Sequence, residues 1–182
     1  GESQIPESGK KIRRVFLHPP QPAPHDDALD AIAEADAIVI GPGSLYTSIL
    51  PNLLVRGMAE AIRASQAVKI YICNVMTQPG ETDGFTASDH VQVIHDHVGD
   101  CFIDTVIVNN QVPPPSILRK YAEKGAHPVQ PDIERLKGLG CHVIADNLLL
   151  YSPDFYLRHD ADRLCRHILK MVRDRKQRRY SG

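Results

Sequence analysis

The residues best equipped for chemistry stand in one run, Gly41-Pro42-Gly43-Ser44-Leu45-Tyr46-Thr47-Ser48-Ile49-Leu50-Pro51-Asn52. Gly41 and Gly43 permit positive φ and leave room for a ligand against the backbone. Ser44, Thr47 and Ser48 add hydroxyls beside the free N–H groups that open a helix. Such a corner suits an anion. It equally suits a plain turn in which Ser44 or Thr47 caps the helix, and both readings stand at this level. It is not a Gly-Lys-Ser/Thr phosphate loop, and Tyr at position 46 rules out Gly-x-Gly-x-x-Gly.

A second polar stretch runs from Asn74 to Gly84. Asn74, Thr77 and Gln78 can hydrogen-bond a base, a sugar or an amide, while Glu81 and Asp83 can hold ribose hydroxyls, a metal or a proton in transfer. Loops are also polar simply because they are wet. Farther on, His90 could act as a base, since Asp89-His90 opens a helix near this loop, although a surface histidine is the commoner case. His90 and His97 lie two turns apart on that helix, too far to share one metal.

The elements that must position these residues follow from the hydrophobic pattern. Ile12–Leu17 alternates as an edge strand before a Pro-rich break at 19–24, and Asp26 or Asp27 can cap a helix reaching Asp36. Ala37–Ile40 is a strand delivering the glycine turn; Ser48–Leu54 and Val55–Ala64 follow as helices, the first interrupted by Pro51. Val68–Val75 is almost continuously apolar, as a strand buried on both faces of a parallel sheet would be. Ser88 can cap a helix to about His97; Asp104–Asn110 and Cys141–Asp146 are further strands, with helices from Ser116 and over 133–140 between them. Asp160 or Asp162 starts a final helix, expected to fray into a basic, disordered tail over 173–182. The expected organisation is a single α/β domain over 1–172 with a Rossmann-like, mainly parallel sheet flanked by helices. In such sheets ligands bind beyond the carboxyl ends of the strands, so both loops should face one cleft.

Composition narrows the function. In 182 residues, 21 basic and 22 acidic side chains leave a net charge of -1, which argues against a surface devoted to nucleic acid. Cys73, Cys101, Cys141 and Cys165 form no Cys-x-x-Cys pair, so neither a zinc knuckle nor a disulfide framework is written here. No apolar run is as long as a membrane span and no signal peptide is evident, so a cytoplasmic location and no membrane insertion are expected. A first residue of Gly rather than Met is expected of a fragment or processed product.

Taken together, Gly1-Glu2-Ser3, the run from Ala35 to Leu54, Asn74-Val75-Met76-Thr77-Gln78-Pro79-Gly80-Glu81-Thr82 and Ala87-Ser88-Asp89-His90-Val91 closely resemble the bacterial gluconeogenesis factor family (YvcK-like, CofD-related). The likeness weakens after about Asn110 and covers only the C-terminal part of the family pattern: its N-terminal Gly-Gly-Gly-Thr-Gly loop and Asp-Asp-Gly-Gly segment do not occur here. The resemblance implies a Rossmann-like cytoplasmic protein that binds a nucleotide sugar of the UDP-N-acetylglucosamine type and is needed for cell shape and wall synthesis during gluconeogenic growth. It places the segment containing Gly41, Pro42, Gly43, Ser44, Leu45, Thr47, Ser48 and Asn52 at the nucleotide or phosphate site. Asn74, Met76, Thr77, Gln78, Glu81 and Thr82 lie beside it. A related branch resembles 2-phospho-L-lactate transferases of deazaflavin cofactor synthesis, which use magnesium.

Phosphoryl transfer asks for metal-binding carboxylates and a Lys or Arg clamp, and the two loops offer Glu81 and Asp83 but no Lys or Arg. This favours binding over turnover, with no certain cofactor and Mg²⁺ relevant only to a transferase. An exposed sheet edge would favour a homodimer or higher homo-oligomer, and a pure interaction domain is the third class.

Overall fold

The computed structural model describes residues 5, 9–99, 102–151 and 157–180. The Gly1-Glu2-Ser3 motif, Cys101 and the end of the tail at 181–182 lie outside them. Four strands, β1 (Ala37–Ile40), β2 (Val68–Ile72), β3 (Thr105–Asn109) and β4 (His142–Asp146), pair in the order β1-β2-β3-β4, all parallel. The expected α/β architecture is present. Helices separate the strands: α1 (Asp26–Glu34) before β1, α2 (Leu50–Leu53) and α3 (Met58–Ala64) after it, α4 (Ala87–Val98) after β2, and α5 (Pro115–Ala122) and α6 (Ile133–Gly138) after β3. A two-stranded antiparallel pair, β5 (Leu149–Tyr151) and β6 (Leu157–His159), precedes α7 (Ala161–Tyr180).

β2 is buried along its whole length because both faces of the sheet are covered. Its side chains alternate between two apolar layers. Tyr71 joins Val106, Val108, Val91, Ile94 and Leu136 on one face, whereas Val68, Ile70 and Ile72 join Ile107, Leu148 and Leu164 under α7 on the other. Cys73, held in the first layer, has its thiol pKa pushed up to about 12 by burial, so it is an inert apolar filler.

Several local expectations are corrected. Ile12–Leu17 is not a strand: among the described residues β1 pairs only with β2, and this segment is tied down instead by the Val15 N–H donating to His97 Nε2 at 3.1 Å. α1 is preceded by His25 without a side-chain cap, and Asp26 and Asp27 sit in its first turn, where they favour the positive end of the helix dipole. Thr86, not Ser88, caps α4 in a reciprocal capping box with Asp89; the Ser88 hydroxyl instead donates to Asp132. The helix expected from Val55 begins only at Met58, because Gly57 in the left-handed region (φ +78°) turns the chain first. α7 continues to Tyr180 instead of fraying at 173: Met171 and Val172 still pack on the sheet, and Lys176 reaches Asp36 at 2.6 Å.

Candidate functional site

β1 ends at Ile40 and Gly41 turns the chain across the carboxyl end of β2. Gly41 has φ +79°, and a Cβ there would lie 3.0 Å from the Ile72 carbonyl and 3.4 Å from Ile49 Cδ1. Only glycine meets both demands without strain. The chain then enters a π-helical turn, Leu45–Ile49, in which the Ser48 and Ile49 N–H groups both donate to the Ser44 carbonyl. Ser44 does not cap this turn with its side chain, so its hydroxyl is not needed for that purpose. Such wide turns recur at functional sites.

The two loops meet. Asn74 accepts from the Gly43 N–H through Oδ1 at 3.3 Å and donates from Nδ2 to the Gly43 carbonyl at 2.9 Å, a reciprocal pair between segments 31 residues apart. Beside this joint lies a cavity of about 360 Å³ lined by Gly41, Pro42, Gly43, Ser48 and Asn52, with an apolar wall that includes Ile38, Val39 and Met58. Asn52 Nδ2 donates to the Ser48 carbonyl, leaving the Asn52 Oδ1 and the Ser48 hydroxyl as polar groups at the rim. Among the described residues, none that lines this pocket carries a charged side chain.

Other sequence-selected residues are placed differently. Leu45 is only 1% exposed, in the core. Ser44 lends its carbonyl to the turn, and Thr47, next along it, is half-buried; neither lines this cavity. Asn74 braces the loops with both ends of its amide. Thr77 accepts from the His127 N–H and its own N–H donates to the His127 carbonyl, while Met76 bridges to Pro128. The Gln78 N–H donates to the Thr82 hydroxyl and Gln78 Nε2 donates to Glu81, so these three fasten the second loop to itself. Glu81 faces a separate cavity with Asp83. Thus Gly41, Pro42, Gly43, Ser48 and Asn52 line one pocket, Asn74 braces its turn, and none of residues 74–82 lines it, so the expectation that both loops face one cleft is corrected.

His90 is a core residue, fully buried on α4. Its Nδ1–H donates to the Thr86 carbonyl, and burial holds its pKa below the ordinary imidazole value against the pull of that bond and of Asp89 and Asp132. A buried, neutral imidazole here is packing against Phe85, with ring centroids 5.5 Å apart, not a base in the cleft. Among the described residues no three His, Cys, Asp or Glu are grouped to hold a metal ion. At the carboxyl end of β4, sequence reasoning missed Asp146, whose carboxylate is held by His167 Nε2 at 2.8 Å and Arg163 at 3.4 Å. A second cavity of about 360 Å³ lies at the opposite ends of the strands, between Val68, Thr105, His142 and α7. It contains none of the candidate residues.

Residues 1–149 match the family model described as 2-phospho-L-lactate transferase CofD. The chain belongs to the CofD family. Within the family it is 50% identical over 174 residues to the gluconeogenesis factor of Bacillus subtilis strain 168, covering 96% of this chain and 55% of that protein. It is 53% identical over 170 residues to the gluconeogenesis factor of Halalkalibacterium halodurans, covering 93% of this chain and 52% of the relative. A crystal structure of a Bacillus halodurans protein superposes with a TM-score of 0.89 at 53% identity, covering 93% of this chain and 54% of that one. The chain therefore spans about half the length of the relatives it matches.

Proposed function

We propose that the pocket beside the Gly41–Gly43 turn binds a nucleotide sugar of the UDP-N-acetylglucosamine type, and that the protein acts in the cytoplasm as a regulator of cell shape and wall synthesis during gluconeogenic growth. The observation that carries this reading is the cavity beside the Gly41–Gly43 turn at the carboxyl end of β1, whose turn is braced by the reciprocal Asn74–Gly43 pair. The likeness to gluconeogenesis factors supports the biological setting. An uncharged lining of backbone, hydroxyl and amide groups favours binding over phosphoryl transfer, for which no charged clamp stands at this pocket. Among the described residues no strand pairs with the outer edge of β1, and Val39 there is 42% exposed, which favours self-association of the chain.

A second reading, a 2-phospho-L-lactate transferase-like activity dependent on Mg²⁺, is favoured by the description of the matching family model. Calorimetry separates the two. Selective heat with UDP-N-acetylglucosamine over UDP and a deazaflavin is expected for the regulator, and deazaflavin binding for the transferase. Asn52→Ala should weaken nucleotide-sugar binding by about 1 kcal/mol, the worth of one hydrogen bond. Absence of heat with every nucleotide would remove the binding claim.

A further inference from the structure

We propose that the outer edge of β1 is a seat for a further parallel strand, and that its occupant is the portion of a gluconeogenesis factor that this chain does not span. Winding carries the first step. From β1 to β4 each strand is added on the same side of its predecessor, always in parallel. Right-handed crossovers that advance in one direction place their helices on one face of the sheet. Accordingly, Ile32 of α1, Leu50 of α2, Ile62 of α3, Val91 of α4 and Leu136 of α6 share a single apolar layer.

A sheet wound in one direction corresponds to one half of a doubly wound sheet, in which the other strands extend from the free edge of the first and the other helices cover the second face. Here α7 covers that second face over β2 and β3 but not fully at β1. Ala37 is half-buried there, and Val39, two residues on and on the same side, is 42% exposed. Parallel strands are ordinarily buried on both faces, as β2 is.

The edge itself can take a strand. The Asp36 carbonyl accepts from the Val68 N–H at 3.1 Å, so the alternation of a strand backbone turns the N–H and C=O groups of Ala37 and Val39 away from β2. Beside them runs the cavity of about 360 Å³, lined by Ile38, Val39 and Ile40 and by Leu53, Met58 and Ile62 from the region of α2 and α3. This apolar wall receives the side chains of an added strand, while the Gly41–Gly43 rim stays open beyond its carboxyl end. The loop leaving the added strand then supplies a second side to the crevice in which doubly wound sheets hold ligands. Only this last point rests on the nucleotide-sugar reading. Length selects the occupant: the chain covers 55% of the Bacillus subtilis gluconeogenesis factor and 54% of the Bacillus halodurans structure, which leaves nearly half of each to build the other side of the sheet.

Coexpression of this chain with the unmatched portion of the Bacillus subtilis gluconeogenesis factor, tagged for affinity purification, tests the seat in the absence of nucleotide. A one-to-one complex is expected by sedimentation, its affinity lowered about tenfold or more by Val39→Lys, a charge that guards strand edges against pairing, and kept by Val39→Thr. Val39 is exposed, so both variants should keep the parent's urea midpoint when free. The proposal is overturned if the two pieces fail to copurify, or if Val39→Lys leaves the complex unchanged. It is also overturned if the chain forms only a dimer with itself that Val39→Lys dissolves, which would give the edge to a second copy. A complex that forms as expected but binds no UDP-N-acetylglucosamine would uphold the seat and refute the nucleotide reading alone.

Discussion

Asn74 illustrates how a residue can matter to a site without touching a ligand. Its amide matches the donor and acceptor of one peptide unit, at Gly43, and so cross-links the turn after β1 to the loop after β2. Asn74→Ala leaves both backbone groups without that partner, and a stability loss of about 1–2 kcal/mol in urea unfolding is expected. Asn74→Asp should not restore it, because a carboxylate cannot donate to the Gly43 carbonyl. The buried imidazoles carry a pH signature. Burial lowers the pKa of His90 and of His159, so the unfolded chain binds protons more readily than the folded one as the pH falls through the unfolded value. By linkage, stability is full above an ordinary imidazole pKa of about 6.5 and declines below it. Denaturation midpoints should therefore fall between pH 7 and pH 5, with a shallower fall in His90→Phe; an identical slope in that variant would exclude His90 as a contributor.

At the scale of elements, the turn after β1 shapes the pocket and the start of α4 fixes that helix against the segment before α6. Gly41→Ala forces a side chain into the left-handed region and to 3.0 Å from the Ile72 carbonyl, a backbone atom fixed by the sheet. A loss of about 1–3 kcal/mol is expected by chemical denaturation, together with loss of the neighbouring pocket. Thr86 was not selected from the sequence as the cap of α4, because Ser88 two residues later is an equally good capping type. Only the capping box with Asp89 and the diversion of Ser88 to Asp132 distinguish them. Thr86→Ala should cost about 1 kcal/mol, and Ser88→Ala should reveal itself separately through the contact with α6 rather than through helix fraying.

For the whole molecule, the sheet separates two apolar layers of unequal construction. One layer is built from helices between successive strands, while the other depends on α7, which arrives from the end of the chain. Leu164 is the buried anchor of that helix on Val68, Ile70 and Ile72. Leu164→Ala should cost about 2–4 kcal/mol, readable as a lower urea midpoint, by leaving a cavity under α7. The ion pairs farther along the helix, Arg175–Asp104 and Lys176–Asp36, are too exposed to compensate.

Hydrophobic period and glycine placement are local properties, so the sequence by itself determined the alternation of strands and helices, the doubly buried β2, and the departure of the Gly41 and Asn74 loops from strand ends on one side of a parallel sheet. It also carried the family resemblance. What only the tertiary structure decided is the task of each polar side chain. Asn74 and Gly43 are 31 residues apart and Val15 and His97 are 82 apart, and no local pattern encodes such partners. A polar residue in a loop reads alike whether it braces the backbone, as Thr77 and Thr82 do, or faces a cavity, as Ser48 does. Ile12–Leu17 alternates like a strand yet pairs with no strand among the described residues, because pairing depends on a neighbour brought by the fold and not on the segment's own residues.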